Sequence, residues 1–143
     1  MRVPEMTIRK GRCLCGAVRF EYAGPENWVG HCHCQSCRRN TSSAFTTFVG
    51  VPNAAYRFTG IEPAVYQSSP GVRRLFCPEC GAPVAYDADK FADEIHFYLA
   101  SLEDAGGIEP QFHVFAGEMV PWIGLGDDLP KYLCGTSGPK LGD

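Results

Sequence analysis

The chain has 143 residues, 45% of them apolar and 20% charged, with a net charge of −3. That is enough chain for one domain with its own core, too apolar for a disordered segment, and without the basic stripe a nucleic-acid surface needs. No apolar run approaches the ~20 residues of a membrane span, and residues 1–10 lack the apolar stretch of a secretory signal. The expected address is therefore the cytoplasm, where thiols stay reduced.

Sixteen glycines and eleven prolines punctuate the chain, and Val, Phe, Tyr and Thr fill the intervals. The pattern predicts short strands and loops, with few or no long helices. After a polar lead, residues 11–16 carry Cys13 and Cys15 in a turn. Residues 17–23 then alternate, with Val18, Phe20 and Tyr22 on one face and Arg19 and Glu21 on the other, as in a half-buried strand. Gly24-Pro25 ends it, and Trp28-Val29 leads into His31-Cys32-His33-Cys34-Gln35-Ser36-Cys37-Arg38-Arg39.

Residues 38–43 read as one helical turn or a tight loop, and residues 44–51 as a strand that Pro52-Asn53 breaks. Residues 56–58 and 64–67 are shorter strand candidates. Residues 72–76 run into Cys77-Pro78-Glu79-Cys80-Gly81 and residues 83–86 run out of it, which predicts a strand–knuckle–strand hairpin. Residues 94–101 alternate again, and residues 111–115 form a further short strand. Residues 135–143 are rich in Gly, Ser and Pro and are expected to be mobile. The fold class is mainly β, a single domain over residues 1–143 with its core at about 11–132.

Eight cysteines in a reduced compartment read as metal ligands or catalytic groups, not as a disulfide scaffold. Cys13 with Cys15, and Cys32 with Cys34, stand too close for a comfortable bridge. Cys13, Cys15, Cys77 and Cys80 make up the four thiolates of a closed zinc site. Cys32, Cys34 and Cys37 offer three ligands and leave a fourth position open, the donor count of a catalytic zinc. A competing arrangement closes the second site with a histidine, from His31, His33, His96 or His113. Cys134 is left over.

The run Gly11-Arg12-Cys13-Leu14-Cys15-Gly16-Ala17-Val18-Arg19-Phe20, the central Cys32–Arg39 segment and Phe76-Cys77-Pro78-Glu79-Cys80-Gly81 together resemble the glutathione-dependent formaldehyde-activating enzyme family, which carries the CENP-V/GFA domain. Pro110–Phe115, Met119-Val120-Pro121-Trp122 and Leu129-Pro130 are similar to that family's C-terminal part. The resemblance implies an Mss4-like fold of antiparallel sheets with zinc knuckles. It implies two zinc ions, a structural one on Cys13, Cys15, Cys77 and Cys80 and a catalytic one on Cys32, Cys34 and Cys37. It further implies a carbon–sulfur lyase that joins glutathione and formaldehyde in S-hydroxymethylglutathione.

A glutathione-like thiol needs cations for its carboxylates. Arg38 and Arg39 are the first candidates, Arg73 and Arg74 the second, and His33, His96 or His113 could move the proton. No nucleic-acid or membrane partner is expected, and a homodimer is left open. The rival function is a non-enzymatic zinc module that docks a protein. Against it stands the lack of basic extensions such as tubulin- or chromatin-binding relatives carry.

Overall fold

The computed structural model describes residues 7–142. In chain order the strands and the helix are β1 (Ile8–Arg12), β2 (Arg19–Ala23), β3 (Trp28–Cys32), α1 (Gln35–Thr41), β4 (Thr46–Pro52), β5 (Tyr56–Phe58), β6 (Ala64–Ser69), β7 (Val72–Phe76), β8 (Pro83–Ala88), β9 (Glu94–Tyr98) and β10 (Phe112–Val114). The mainly β class holds, and the one α-helix has seven residues. Among the described residues, no helix is long and apolar enough to cross a membrane.

The chain divides into two compact units, one of residues 7–27 and 49–107, the other of residues 28–48 and 108–142. In the first, β1, β2 and β5 form a three-stranded antiparallel sheet, and β9, β8, β7 and β6 follow one another in a second sheet. The alternation of residues 17–23 becomes the inward face of β2. There Phe20 lies flat on Phe97 of β9 with ring centroids 3.9 Å apart, and Tyr56 and Phe58 of β5 meet Phe97 edge-on at 5.4 and 6.1 Å. Val18, Val49, Val51, Val84 and Ile95 close this core, each almost wholly buried. Rings of this size stabilise by about 1.5–3 kcal/mol each when fully buried, so the Phe20–Phe97 stack anchors the first unit.

The second unit is built on β3, with β10 on one side. β10 runs parallel to β3, with Phe112 opposite Gly30, His113 opposite His31 and Val114 opposite Cys32. This is the departure from the all-antiparallel expectation. The pairing continues in the His33 N–H bond to the Val114 carbonyl (3.0 Å). Residues past β10 fold back beside it: the His113 N–H donates to the Pro130 carbonyl at 2.9 Å and the Tyr132 N–H to the His113 carbonyl at 2.8 Å. The end of the chain turns once more, with the Leu133 N–H on the Pro139 carbonyl (3.0 Å).

Candidate metal centres

Four thiols of the first unit converge from two hairpin turns of the same design. Cys13 and Cys15 lie in the β1–β2 turn, where the Cys13 N–H meets the Val18 carbonyl at 3.0 Å and the Gly16 N–H meets the Cys13 carbonyl at 3.2 Å. Cys77 and Cys80 lie in the β7–β8 turn, closed by Cys77 N–H to Ala82 O (3.0 Å) and Gly81 N–H to Cys77 O (2.8 Å). Gly16 and Gly81 both take the left-handed conformation, with φ of 82° and 77°, which glycine adopts without steric cost. Each turn thereby aims backbone N–H groups at its first sulfur: Val18 at Cys13 Sγ (3.3 Å), Glu79 and Cys80 at Cys77 Sγ (3.3 and 3.4 Å).

The Sγ atoms of Cys13 and Cys15, and of Cys15 and Cys77, are 3.7 Å apart, and all four sulfurs lie within 4.8 Å of one another. Four sulfurs about 2.3 Å from one tetrahedral ion stand about 3.8 Å apart, whereas a disulfide needs about 2.0 Å. The spacing is that of thiolates around an ion, and none of the eight cysteines is bridged. The electrostatics agree. Burial works against ionising Cys13, but the Val18 N–H and hydrogen bonds from Cys77, Cys15 and Cys80 bring it down to about 6. At Cys15 the Ala17 N–H favours the thiolate, yet desolvation and the neighbouring Cys13, Cys80 and Cys77 drive it up to about 12. Neighbouring thiols such as Cys13 and Cys15 oppose one another's ionisation, which a bound cation would relieve.

Cys32, Cys34 and Cys37 of the second unit also converge, their Sγ atoms within 4.8 Å of one another. They stand where a strand passes into a helix. Cys32 ends β3, Cys34 caps α1 and Cys37 sits in its first turn. The cap is the thiol itself: Cys34 Sγ accepts the Cys37 N–H at 3.3 Å, the role an Asp or Ser oxygen usually fills. That bond puts the two sulfurs on one side of the turn, facing Cys32. Among the described residues, no fourth His, Cys, Asp or Glu ligand atom joins this cluster. The Cys32 thiol is pushed far up by the hydrogen bonds it shares with Cys34 and Cys37 and then by burial, and Cys34 is raised as well.

Arg38 and Arg39 follow Cys37 on α1 and line a surface cavity of about 400 Å³ together with Ser42, Ser43, Val120 and Trp122. Arg38 Nε is buried there with no hydrogen-bond partner, while Arg39 is exposed. Arg73 and Arg74 belong to the first unit and have other work. Arg73 is held by Asp87 at 2.8 Å and Asp89 at 3.0 Å, and Arg74 is buried over the Tyr86 ring.

The four histidines separate in the same way. His96, in the first unit, bonds Glu94 Oε2 at 2.6 Å. His31, His33 and His113 cluster in the second unit around Phe45. His33 Nε2 and His113 Nδ1 are 2.8 Å apart, and His113 Nε2 lies 3.1 and 3.0 Å from the two carboxylate oxygens of Asp127. Burial first, then the nearby His113 and His31 rings, lower His33 to about 4, so its ring is neutral at pH 7. Asp127 was not among the expected site residues. It stands 14 positions from His113 in an irregular segment, and the only local cue was the Leu129-Pro130 that follows it.

The family model for the glutathione-dependent formaldehyde-activating enzyme matches residues 8–118. An uncharacterized lyase of Schizosaccharomyces pombe is 30% identical over 77 residues, which cover 54% of this chain and 56% of that protein. The chain thus spans little more than half the length of this curated relative. The crystal structure of a Rhodobacter sphaeroides protein superposes with a TM-score of 0.56 at 24% identity, covering 71% of this chain and 91% of that one, and so shares the fold. A family match over most of the sequence agrees with the order and spacing of its cysteines, and the chain belongs to the glutathione-dependent formaldehyde-activating enzyme family.

Proposed function

We propose that the protein is a zinc-dependent carbon–sulfur lyase acting on the adduct of a glutathione-like thiol with formaldehyde or a related small aldehyde. The cluster of Cys32, Cys34 and Cys37 carries this reading, because it gathers three sulfurs without a fourth ligand among the described residues. Three free thiols within 4.8 Å, whose joint ionisation is opposed by their own proximity, are a donor set that suits zinc or another soft divalent ion. A zinc ion held by Cys32, Cys34 and Cys37 would acidify a substrate thiol so that it is deprotonated near neutral pH. Cys13, Cys15, Cys77 and Cys80 would hold a second, structural zinc.

The remaining roles fall to the chain's own side chains. Arg38 and Arg39 bind the carboxylates of the thiol, and the buried, unpartnered Arg38 Nε is a donor awaiting such an acceptor. Val120 and Trp122 give the same cavity an apolar wall. Neutral His33, bonded to His113, is placed in the sequence between two of the three sulfurs. In the synthetic direction a bond forms between the thiol sulfur and the aldehyde carbon, and the thiol proton ends on the new hydroxyl. In the lyase direction the same C–S bond breaks and the hydroxyl proton returns to sulfur. No oxidant or reductant is required.

Exchange NMR on mixtures of glutathione, ¹³C-formaldehyde and S-hydroxymethylglutathione tests the reading. The protein should accelerate exchange over the spontaneous rate, and Cys34→Ser should abolish the acceleration. An exchange rate unchanged by the wild-type protein removes formaldehyde from its substrates.

A further inference from the structure

Outside the cysteine clusters, another set of ligand atoms converges in the second unit. His31 of β3, His113 of β10 and Asp127 each bring one ligand atom to within 4.8 Å of the other two. The parallel register sets His31 and His113 directly opposite each other, with their rings stacked at 4.6 Å. Asp127 is oriented by the Leu129 N–H, which donates to its Oδ1 at 3.0 Å, and the segment that follows is pinned to β10 through Pro130.

We propose that His31, His113 and Asp127 form a further binding site for a divalent transition-metal ion of the zinc or iron(II) class. Two imidazoles and one carboxylate are the protein ligands of many hydrolytic zinc sites and of non-haem iron sites, and they leave coordination positions for solvent or substrate. The outer partners support the assignment. In metal-ligating histidines the second ring nitrogen is tied to a neighbouring group, which fixes the tautomer and aims the first. Both rings show this arrangement. His31 Nδ1 is 2.8 Å from Thr47 Oγ1, leaving Nε2 free, and His113 Nδ1 is 2.8 Å from His33 Nε2, leaving its Nε2 turned to Asp127.

His33 is fully buried, and its Nδ1 has no partner, so the ring's polar attachment is to His113 alone. That makes it a brace for the His113 ring. Ligand atoms around a tetrahedral zinc with bonds of about 2.1 Å lie about 3.4 Å apart. The His113–Asp127 separations of 3.0 and 3.1 Å would open only slightly. Asp127 is a third exposed and lies outside helix and strand, where such a movement meets little resistance. Lys131 Nζ stands 3.9 Å from Asp127 Oδ1 and is the positive charge an incoming ion competes with. The site does not depend on the thiol chemistry proposed above.

Cobalt(II) discriminates the donor sets, because thiolate ligation adds strong near-ultraviolet charge-transfer absorption that nitrogen and oxygen ligands do not. Protein carrying zinc on its cysteines, freed of weakly held metal on a chelating resin, is titrated with cobalt(II). One further equivalent should bind with weak visible bands and no thiolate charge transfer. Asp127→Asn and His31→Gln should each weaken that equivalent at least tenfold, while the zinc content and the melting temperature stay as in the parent. Absence of a further equivalent, or cobalt that enters only with thiolate bands, overturns the proposal and leaves Asp127–His113–His33 as a hydrogen-bonded line.

Discussion

The two cysteine clusters use similar ligands on different scaffolds. The four-sulfur cluster joins two hairpin turns, and its Cys15 and Cys77 are 62 positions apart. The three-sulfur cluster is confined to the six residues from Cys32 to Cys37, where a strand ends and a helix begins. An ion on the first closes a long loop and ties β1–β2 to β7–β8, so its binding free energy becomes folding free energy. An ion on the second ties together residues that the Cys34 cap and the β3 pairing already hold close. Ligand number sets what each can do chemically, and sequence separation sets what each does for stability.

Serine replacements should expose that difference most clearly. Cys77 has no exposed surface and accepts two backbone N–H groups. Cys77→Ser should remove one zinc per chain and cost more than about 4 kcal/mol, enough to unfold many small domains at 25 °C. Cys34→Ser should also remove one zinc but cost about 1 kcal/mol or less, because serine is itself a good helix cap. Urea unfolding read together with zinc content per chain measures both. Equal destabilisation of the two variants would mean that the three-sulfur cluster is structural as well, and the division between them would fail.

A smaller effect is expected at Arg38, where only the three-sulfur side of the comparison is engaged. Its Nε is buried and unpartnered on the cavity wall, while Arg39 lies exposed beside it. A charged hydrogen bond is worth about 1.5–3 kcal/mol, so Arg38→Ala should raise KM for a carboxylate-bearing thiol about 10- to 100-fold and leave kcat close to the parent value. Arg39→Ala should do less. An uncharged thiol such as 2-mercaptoethanol should be indifferent to both changes. An equal loss with charged and uncharged thiols would point to damage at the cluster, not to carboxylate binding.

What the sequence made legible follows the same line between local and distant structure. The alternation of Val18, Phe20 and Tyr22 and the hairpin around Cys77–Cys80 are local patterns, and both stand where they were expected. The grouping of Cys13 and Cys15 with Cys77 and Cys80 was readable because each is a glycine-flanked pair, two ligands short of a closed site. β1 was split between a polar lead and the turn at residues 11–16, since three of its five residues, Arg9, Lys10 and Arg12, are charged and it stands at a sheet edge with four of them at least partly exposed. β3 was hidden for the opposite reason. Trp28-Val29-Gly30-His31-Cys32 is largely buried on both faces, so it has no alternation to mark it as a strand. The parallel partner β10 and the approach of Asp127 to His113 depend on pairings more than ten residues apart, which no short window encodes.

Acid should challenge both clusters by protonating thiolates, and the first unit adds a titration of its own that must be separated from this. His96 is 5% exposed, stacked 5.3 Å from Tyr86 and beside Phe91. Burial lowers its pKa from the ordinary 6.5, outweighing the opposing pull of Glu94. Because the folded ring accepts a proton only at a lower pH than the unfolded ring, the unfolded chain binds more protons below about pH 6.5. Stability from this group is therefore complete above pH 6.5 and declines as the pH falls toward the folded value. Urea unfolding at half-unit steps from pH 7.5 to 5.5 should show that decline in the parent and a flatter profile in His96→Gln. The slope that survives in His96→Gln is shared among the cysteine clusters and His31 and His33, whose pKa values burial also lowers, and Cys34→Ser, with one cluster emptied, should show how much of it that cluster carries. A profile identical in parent and His96→Gln would show that His96 takes no part in the acid response.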